Sequence, residues 1–492
     1  MKLGPLAAAA GLPLLPGAPP MSSQGLAGTV VTGFAIDHRK VAPGTVFGAF
    51  QGATVNGEDF IPAAVQSGAV AVVARPDARV EGALHIADAE PRRAFARLAA
   101  AFFAPFPETV VAVTGTNGKT STVEMVRQIW RMAGHRAASI GTLGVTTADG
   151  SVTTGLTTPD IVTFLANMAG LAREGISHVA YEASSHGLSQ YRSEGLPVRA
   201  GAFTNLSRDH LDYHQDMAQY FSAKMRLFDE VVDGDGTAVL WADDEWSAAA
   251  IERARTRGFR LLTVGEKGDA LRLLARSPTA LGQDLRIAHE GRERTVALPL
   301  IGAYQAANAL VAAGLVLATG GDAEATFDAL ARLQPVRGRL ERAAITRTGA
   351  PVYVDYAHTP DALDAAISAL RPHATGRVII VFGAGGDRDA GKRIEMGRIA
   401  HDWADLVIVT DDNPRGEDPA AIRGAILAGA PAAREIGDRR AAIAAALAEA
   451  RSGDVVLVAG KGHEQGQIVG RGEAARVLPF DDVTVCRECA GT

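Results

Sequence analysis

Between Val110 and Thr120 the chain runs from a β-branched apolar stretch into Thr114-Gly115-Thr116-Asn117-Gly118-Lys119-Thr120. Those residue types in that order make a phosphate cradle. Glycines let backbone N–H groups approach an anion, and the helical pattern from Ser121 onward adds its positive N-terminal end. Lys119 is placed to reach the terminal phosphates, and the Thr120 hydroxyl to hold Mg²⁺. The common form of this loop has another glycine five residues before the Gly-Lys pair, where this chain has Val113. The loop is therefore a shortened variant, and ATP is the expected nucleotide.

Two further clusters carry metal or phosphate chemistry. Asn205-Leu206-Ser207-Arg208-Asp209-His210-Leu211-Asp212-Tyr213-His214 follows the apolar run Ala200–Thr204, and Glu182-Ala183-Ser184-Ser185-His186 follows another at 179–181. Oxygen-rich sets with an imidazole suit Mg²⁺ or Mn²⁺ better than Zn²⁺, for which no thiolate is near. Each cluster alone reads equally as a solvated loop; both beyond one phosphate loop favour function. Lys224 falls among Met217, Phe221, Phe228 and Val231 at helical spacing. A cation on that face must snorkel or be neutralised, and the residues by themselves favour snorkelling. A desolvated neutral amine would instead be able to capture CO₂ as a carbamate.

Three apolar strands in the last third each open into a polar loop. Val378–Phe382 leads into Gly383-Ala384-Gly385-Gly386-Asp387-Arg388, Leu406–Thr410 into Asp411-Asp412-Asn413-Pro414-Arg415, and Val455–Ala459 into Gly460-Lys461-Gly462-His463-Glu464. Ligands of an open parallel sheet bind beyond the carboxyl ends of its strands, so these loops are expected to share one crevice. A dinucleotide fingerprint at Gly383 fails, because its third glycine would be Arg388.

Positioning these groups takes more than one core: 492 residues, 47% hydrophobic and 21% charged, indicate about three α/β domains. Residues 21–107 form a small N-terminal α/β domain, with strand-like runs at Thr29–Thr32 and Val70–Val73 and a helix near Phe95–Phe103. Residues 108–336 form a central parallel-sheet P-loop ATPase domain containing a helix at Ala306–Leu317. After a hinge at Pro335–Arg339, residues 337–492 form a Rossmann-like C-terminal domain. Residues 1–20, alanine-rich and broken by Pro5, Pro13 and Pro16, read as a disordered leader rather than an export signal. A net charge of −6 without a basic tract argues against a nucleic-acid scaffold. No uninterrupted apolar run of about eighteen residues is present to span a membrane. Only Cys486 and Cys489 occur, which fits a reducing, cytoplasmic compartment. A monomer acting on small molecules is expected.

In order and spacing these motifs resemble the Mur ligases, ATP-dependent amide-forming enzymes of peptidoglycan precursor synthesis. The likeness covers essentially everything after the leader, adding Thr157-Thr158-Pro159-Asp160, Gly338-Arg339-Leu340-Glu341 and Asp355-Tyr356-Ala357-His358-Thr359-Pro360-Asp361 to the motifs above. It implies ATP held by Gly115, Thr116, Asn117, Gly118, Lys119, Thr120 and Ser121, with Asn308, Arg339, Asp355 and His358. It implies Mg²⁺ on Thr120, Glu182, His210 and a carbamylated Lys224, and catalytic roles for Lys119, Lys224, His210 and Arg339. A UDP-MurNAc dipeptide would contact Ile36, His38, Thr157, Thr158, Ser184, Gln190 and Arg192. An amino acid would contact Arg388, Asp412, Asn413, Pro414, Arg415, Gly460 and Glu464. His38 stands where the family has serine, and Gln305 where it commonly has asparagine.

The implied reaction passes the γ-phosphate of ATP to the D-glutamate carboxylate of UDP-MurNAc-L-Ala-D-Glu, after which an amine displaces phosphate. Charge speaks to the amine: two guanidinium forks suit carboxylates and Glu464 suits an ammonium, matching the distal end of meso-diaminopimelate. L-Lysine would leave Arg415 without its carboxylate. Lysine addition, a folylpolyglutamate-type ligase and a non-catalytic nucleotide switch are the rival readings.

Overall fold

The computed structural model describes residues 1–12, 28–52, 55–152, 157–210, 213–279 and 282–491; Asp212 and residues 13–20 of the expected leader lie outside them. Three sheets organise the chain. Strands Gly33–Ala35, Thr45–Gly48, Ala69–Ala74 and Leu84–Ala87 pair in parallel in that order. The central sheet has eleven strands. Its parallel heart runs Arg260–Gly265, Val232–Trp241, Val198–Phe203, Thr109–Thr114, His178–Glu182, Ala137–Gly141, with antiparallel pairings towards both edges. The third sheet runs Glu341–Ile345, Pro351–Asp355, Val455–Ala459, Val378–Phe382, Leu406–Val409, Arg434–Glu435, parallel after its first strand.

Strand Thr109–Thr114 sits in the middle of its sheet and is apolar on both faces, as a strand covered by helices must be. Val110 and Ala112 pack with Phe95, Phe164 and Tyr181 on one face. Val111 and Val113 pack with Val123, Ile129 and Leu310 on the other. The first core also takes in Phe34 and Val46, so the N-terminal sheet and the central sheet share buried surface. The phosphate loop emerges from this strand into the helix Lys119–Met132.

Two local expectations are corrected. Residues 1–12 are not a disordered leader: Leu3–Ala9 is a helix whose Leu3, Leu6 and Ala7 are buried in the first core. The Met1 amine donates to the Val31 carbonyl at 2.8 Å, and Leu3 N–H to the Thr29 carbonyl at 2.9 Å. That pairing occupies the backbone of 29–31, so the first strand is Gly33–Ala35 and not Thr29–Thr32. Pro5, taken as a break in the leader, falls in the first turn of this helix, where its missing N–H costs nothing.

Candidate active site

The phosphate loop is held open by the strand beside it. Thr116 N–H donates to the Asn205 carbonyl (2.9 Å), Asn117 N–H to Asn205 Oδ1 (2.8 Å), and Thr204 Oγ1 to the Asn117 carbonyl (2.6 Å). The sequence cluster from Asn205 therefore begins as the support of the loop. Gly115 (φ +148°) has no room for a side chain: a Cβ there would overlap the Thr204 hydroxyl. Lys119 Nζ bonds back to the Gly115 and Thr116 carbonyls at 2.9 and 2.8 Å, and burial lowers its pKa.

Lys224 does not snorkel. It is 1% exposed, donates to the same Gly115 carbonyl at 2.7 Å and sits 4.3 Å from the centre of the Tyr220 ring. Burial, with Lys119 beside it, holds its amine well below the usual lysine range. The helix Met217–Arg226 carries it inward, through Tyr220 and Met225, which are also buried. Burial at the phosphate loop favours the neutral form of the amine, the form that captures CO₂ as a carbamate.

Glu182, at the end of the strand next to the phosphate-loop strand, is also 1% exposed. Its Oε1 accepts the Thr142 N–H at 2.7 Å and its Oε2 the Thr142 hydroxyl at 3.3 Å. Those neutral donors are the hydrogen-bond partners of its carboxylate among the described residues. Burial pushes the His210 imidazole down to about 4, which leaves a ring nitrogen free of its proton at neutral pH. Among the described residues no three His, Cys, Asp or Glu side chains surround one point. A buried carboxylate, an imidazole and the Thr120 hydroxyl fit a hard cation that takes its remaining oxygens from phosphates and water, as Mg²⁺ commonly does.

The segment after Pro335 reaches into this loop. Arg339 Nη2 donates to Thr120 Oγ1 at 3.1 Å and its guanidinium lies 4.6 Å from the Tyr356 ring centre. The amide of Gln305, the residue standing where asparagine was expected, donates to the Arg339 carbonyl at 3.1 Å. Asn308 Nδ2 bonds Gln305 Oε1 at 3.2 Å. Asp355 accepts the Leu340 and Ala357 N–H groups at 2.7 and 2.8 Å, and burial raises its pKa to about 6. His358 Nδ1 contacts the Tyr356 carbonyl at 2.8 Å.

The residues expected on the dipeptide side divide. Thr158 Oγ1 donates towards Ser184 Oγ at 2.9 Å; Arg192 donates to the Thr158 carbonyl (2.6 Å) and to Gln190 Oε1 (2.8 Å). Thr157 Oγ1 meets Thr142 Oγ1 at 3.1 Å. Ile36 and His38 belong to the N-terminal sheet unit, where the His38 ring stacks on Phe60 at 4.4 Å. Its neighbour Asp37 pairs with Arg39 at 2.8 Å.

The three strand-end loops of the last sheet do converge. Asn413 Nδ2 donates to Glu464 Oε2 at 2.7 Å, and Arg415 Nη1 to the Gly386 carbonyl at 2.9 Å. A Cβ on Gly385 would lie 2.8 Å from Arg415 Nη1 and 3.9 Å from Arg388 Cγ, so both guanidinium-bearing chains flank one glycine. Gly460 (φ +115°) brings the backbone against Asp412 Oδ2. A cleft of about 1170 Å³ separates the central and last sheets, lined by Thr142, Thr157 and Arg127 on one side and Tyr356, His463 and Glu464 on the other. Arg388 and Arg415 are not in its lining. Sequence reasoning left Lys461 without a role, yet it is wholly buried beneath these loops; a lysine between two glycines at a strand end was the available signal.

Comparison with known proteins accounts for this arrangement over most of the chain. A model of the Mur ligase family catalytic domain matches residues 30–110, the Mur ligase middle domain 113–316, and the Mur ligase glutamate ligase domain 338–462. A Zymomonas mobilis protein named UDP-N-acetylmuramoyl-L-alanyl-D-glutamate–2,6-diaminopimelate ligase is 62% identical, over 93% of this chain and 94% of its own. A Bradyrhizobium diazoefficiens protein of the same name is 53% identical over 92% and 93%. A solved structure titled as that ligase superposes with a TM-score of 0.68 at 32% identity, covering 94% of this chain and 95% of its own. The shortened phosphate loop, Arg339 on Thr120 and the converging strand-end loops thus lie on a scaffold shared over more than nine-tenths of the chain, and the chain belongs to the Mur ligase family.

Proposed function

We propose that this chain adds meso-diaminopimelate to the D-glutamate γ-carboxylate of UDP-MurNAc-L-Ala-D-Glu, converting ATP to ADP and phosphate. A carboxylate oxygen attacks the γ-phosphorus, the bond to the β-phosphate breaks, and an acyl phosphate forms. The amine then attacks the acyl carbon, loses a proton, and inorganic phosphate leaves. Anion attack on a triphosphate is opposed by charge, so positioned cations and N–H groups do most of the work. The phosphate loop and Lys119 bind the nucleotide, Arg339 reaches the phosphates from the hinge, and Asn308, Asp355 and His358 complete the nucleotide side. Mg²⁺ on Thr120, Glu182, His210 and a carbamate of Lys224 would screen the phosphate charge. Ile36, His38, Thr157, Thr158, Ser184, Gln190 and Arg192 hold the UDP-linked dipeptide. Arg388, Asp412, Asn413, Pro414, Arg415, Gly460 and Glu464 hold the amino acid.

One observation carries the choice of amine: Arg415 and Arg388 flank Gly385 while Asn413 joins their loops to Glu464, which faces the cleft. Two cationic forks and one carboxylate match an ammonium with a neighbouring carboxylate. We assign residues 21–107, 108–336 and 337–492 to the nucleotide-sugar, ATP and amino-acid parts of a cytoplasmic monomer. No helix among the described residues is long and apolar enough to cross a membrane, and buried Cys486 is a free thiol. The test is incubation with ATP, UDP-MurNAc-L-Ala-D-Glu and a panel of amino acids, reading the product mass. Diaminopimelate addition supports the reading; lysine addition, or ATP turnover without any acceptor, overturns it.

A further inference from the structure

Lys461 follows strand Val455–Ala459 between two glycines, and its side chain is 0% exposed. Burial of an ammonium is costly unless oxygens surround it. It bonds Asn413 Oδ1 at 2.8 Å and the Gly466 carbonyl at 2.7 Å, with Glu464 Oε2 at 3.5 Å and Asp412 Oδ1 at 4.0 Å. An ammonium only donates, so it fixes which end of a neighbouring amide faces it. Asn413 therefore turns its oxygen inward, where Oδ1 also accepts the Ile468 N–H at 2.9 Å. The amide nitrogen is thereby turned to Glu464, and donates at 2.7 Å to Oε2, the oxygen that Lys461 also approaches at 3.5 Å. Glu464 lines the cleft, and its second oxygen has no hydrogen bond among the described residues.

We infer that Lys461 is a positioning residue of the amine-donor pocket. It orients the Asn413 amide and, through it, holds the Glu464 carboxylate with one oxygen turned to the ammonium of the incoming amino acid. Lys461 itself does not touch the substrate. The inference rests on the function proposed above, because it assigns Glu464 to the acceptor amine.

The experiment compares K461M, E464Q and the double variant in the full-length enzyme, by phosphate release with ATP and the UDP-dipeptide saturating and the amino acid varied. Each single variant is expected to raise KM for diaminopimelate by about 10- to 100-fold, the range of a lost charge-assisted hydrogen bond, with KM for ATP within about twofold. The double variant should fall within about threefold of the worse single one, because both act through the same carboxylate. An unchanged KM in K461M, or a double effect equal to the product of the single effects, overturns the inference. If K461M fails to fold, Asn413→Asp tests the same relay: it keeps an acceptor towards Lys461 and removes the donor towards Glu464. It should raise KM similarly, and an unchanged KM refutes the relay. If the panel shows a different amine to be the substrate, the proposed specificity fails while the Lys461 test proceeds on that amine.

Discussion

Replacing Gly115 by alanine tests how the phosphate loop is built. The residue sits at φ +148°, where a side chain is strained, and its new Cβ would overlap the hydroxyl of Thr204. Backbone strain of this kind costs about 1–3 kcal/mol, and overpacking a closed site about 1–3 kcal/mol more. Displacing the Thr204 hydroxyl also breaks its bond to the Asn117 carbonyl, worth about 1 kcal/mol. At about 1.4 kcal/mol per tenfold, Gly115→Ala is expected to weaken ATP-analogue binding by at least a hundredfold. Thr204→Ala alone should cost about fivefold, since it loses only the hydrogen bond. The double variant should bind about 10–100 times better than Gly115→Ala, because the clash disappears while the strain stays. Its tightest remaining neighbour would be the Cβ of residue 204, at 3.1 Å. Titration with a non-hydrolysable ATP analogue, alongside thermal unfolding, measures all three. Wild-type affinity in Gly115→Ala, or a double variant weaker than the single one, would refute the reasoning.

The remaining predictions are more direct. Arg415→Ala should raise KM for diaminopimelate by about a hundredfold, as expected for a lost charge-assisted pair, and leave KM for ATP within about twofold; equal losses for both substrates would remove Arg415 from the amino-acid pocket. Lys224→Ala should lower kcat by about 10²–10³ and regain activity with millimolar short-chain carboxylic acids; full activity without rescue eliminates the carbamate. Deleting residues 1–12 exposes the surface that buried Leu3 and Leu6 cover, at about 1.5–3 kcal/mol per leucine. Urea unfolding should therefore shift to lower midpoint with a similar slope, and an unchanged midpoint contradicts the docking of that helix.

How much was legible follows from where each signal lies. The phosphate loop, the presence of polar clusters at Glu182 and Asn205, and the three polar loops after 382, 410 and 459 could be read directly, because each is a short contiguous stretch. The backbone conformation of such a stretch is dictated by its own glycines and strand context. The N-terminal segment was misread for a related reason: prolines are judged as breakers unless one knows that Pro5 falls in a first turn. What covers Leu3 and Leu6, on the helix Pro91–Phe103 and its neighbours, lies far along the chain.

By itself the sequence determined the order of α/β units, the nucleotide loop and the kinds of charged group that meet at the strand ends. Only the tertiary structure decided that Lys224 is buried on the Gly115 carbonyl, 109 residues away. The same holds for Arg339, which reaches Thr120 across 219 residues, and for Lys461, which sets the facing of Asn413 from beneath. The reason is physical. A lysine's protonation and an amide's orientation depend on local dielectric and on which acceptor stands within about 3 Å, and those neighbours come from strands brought together by the sheet.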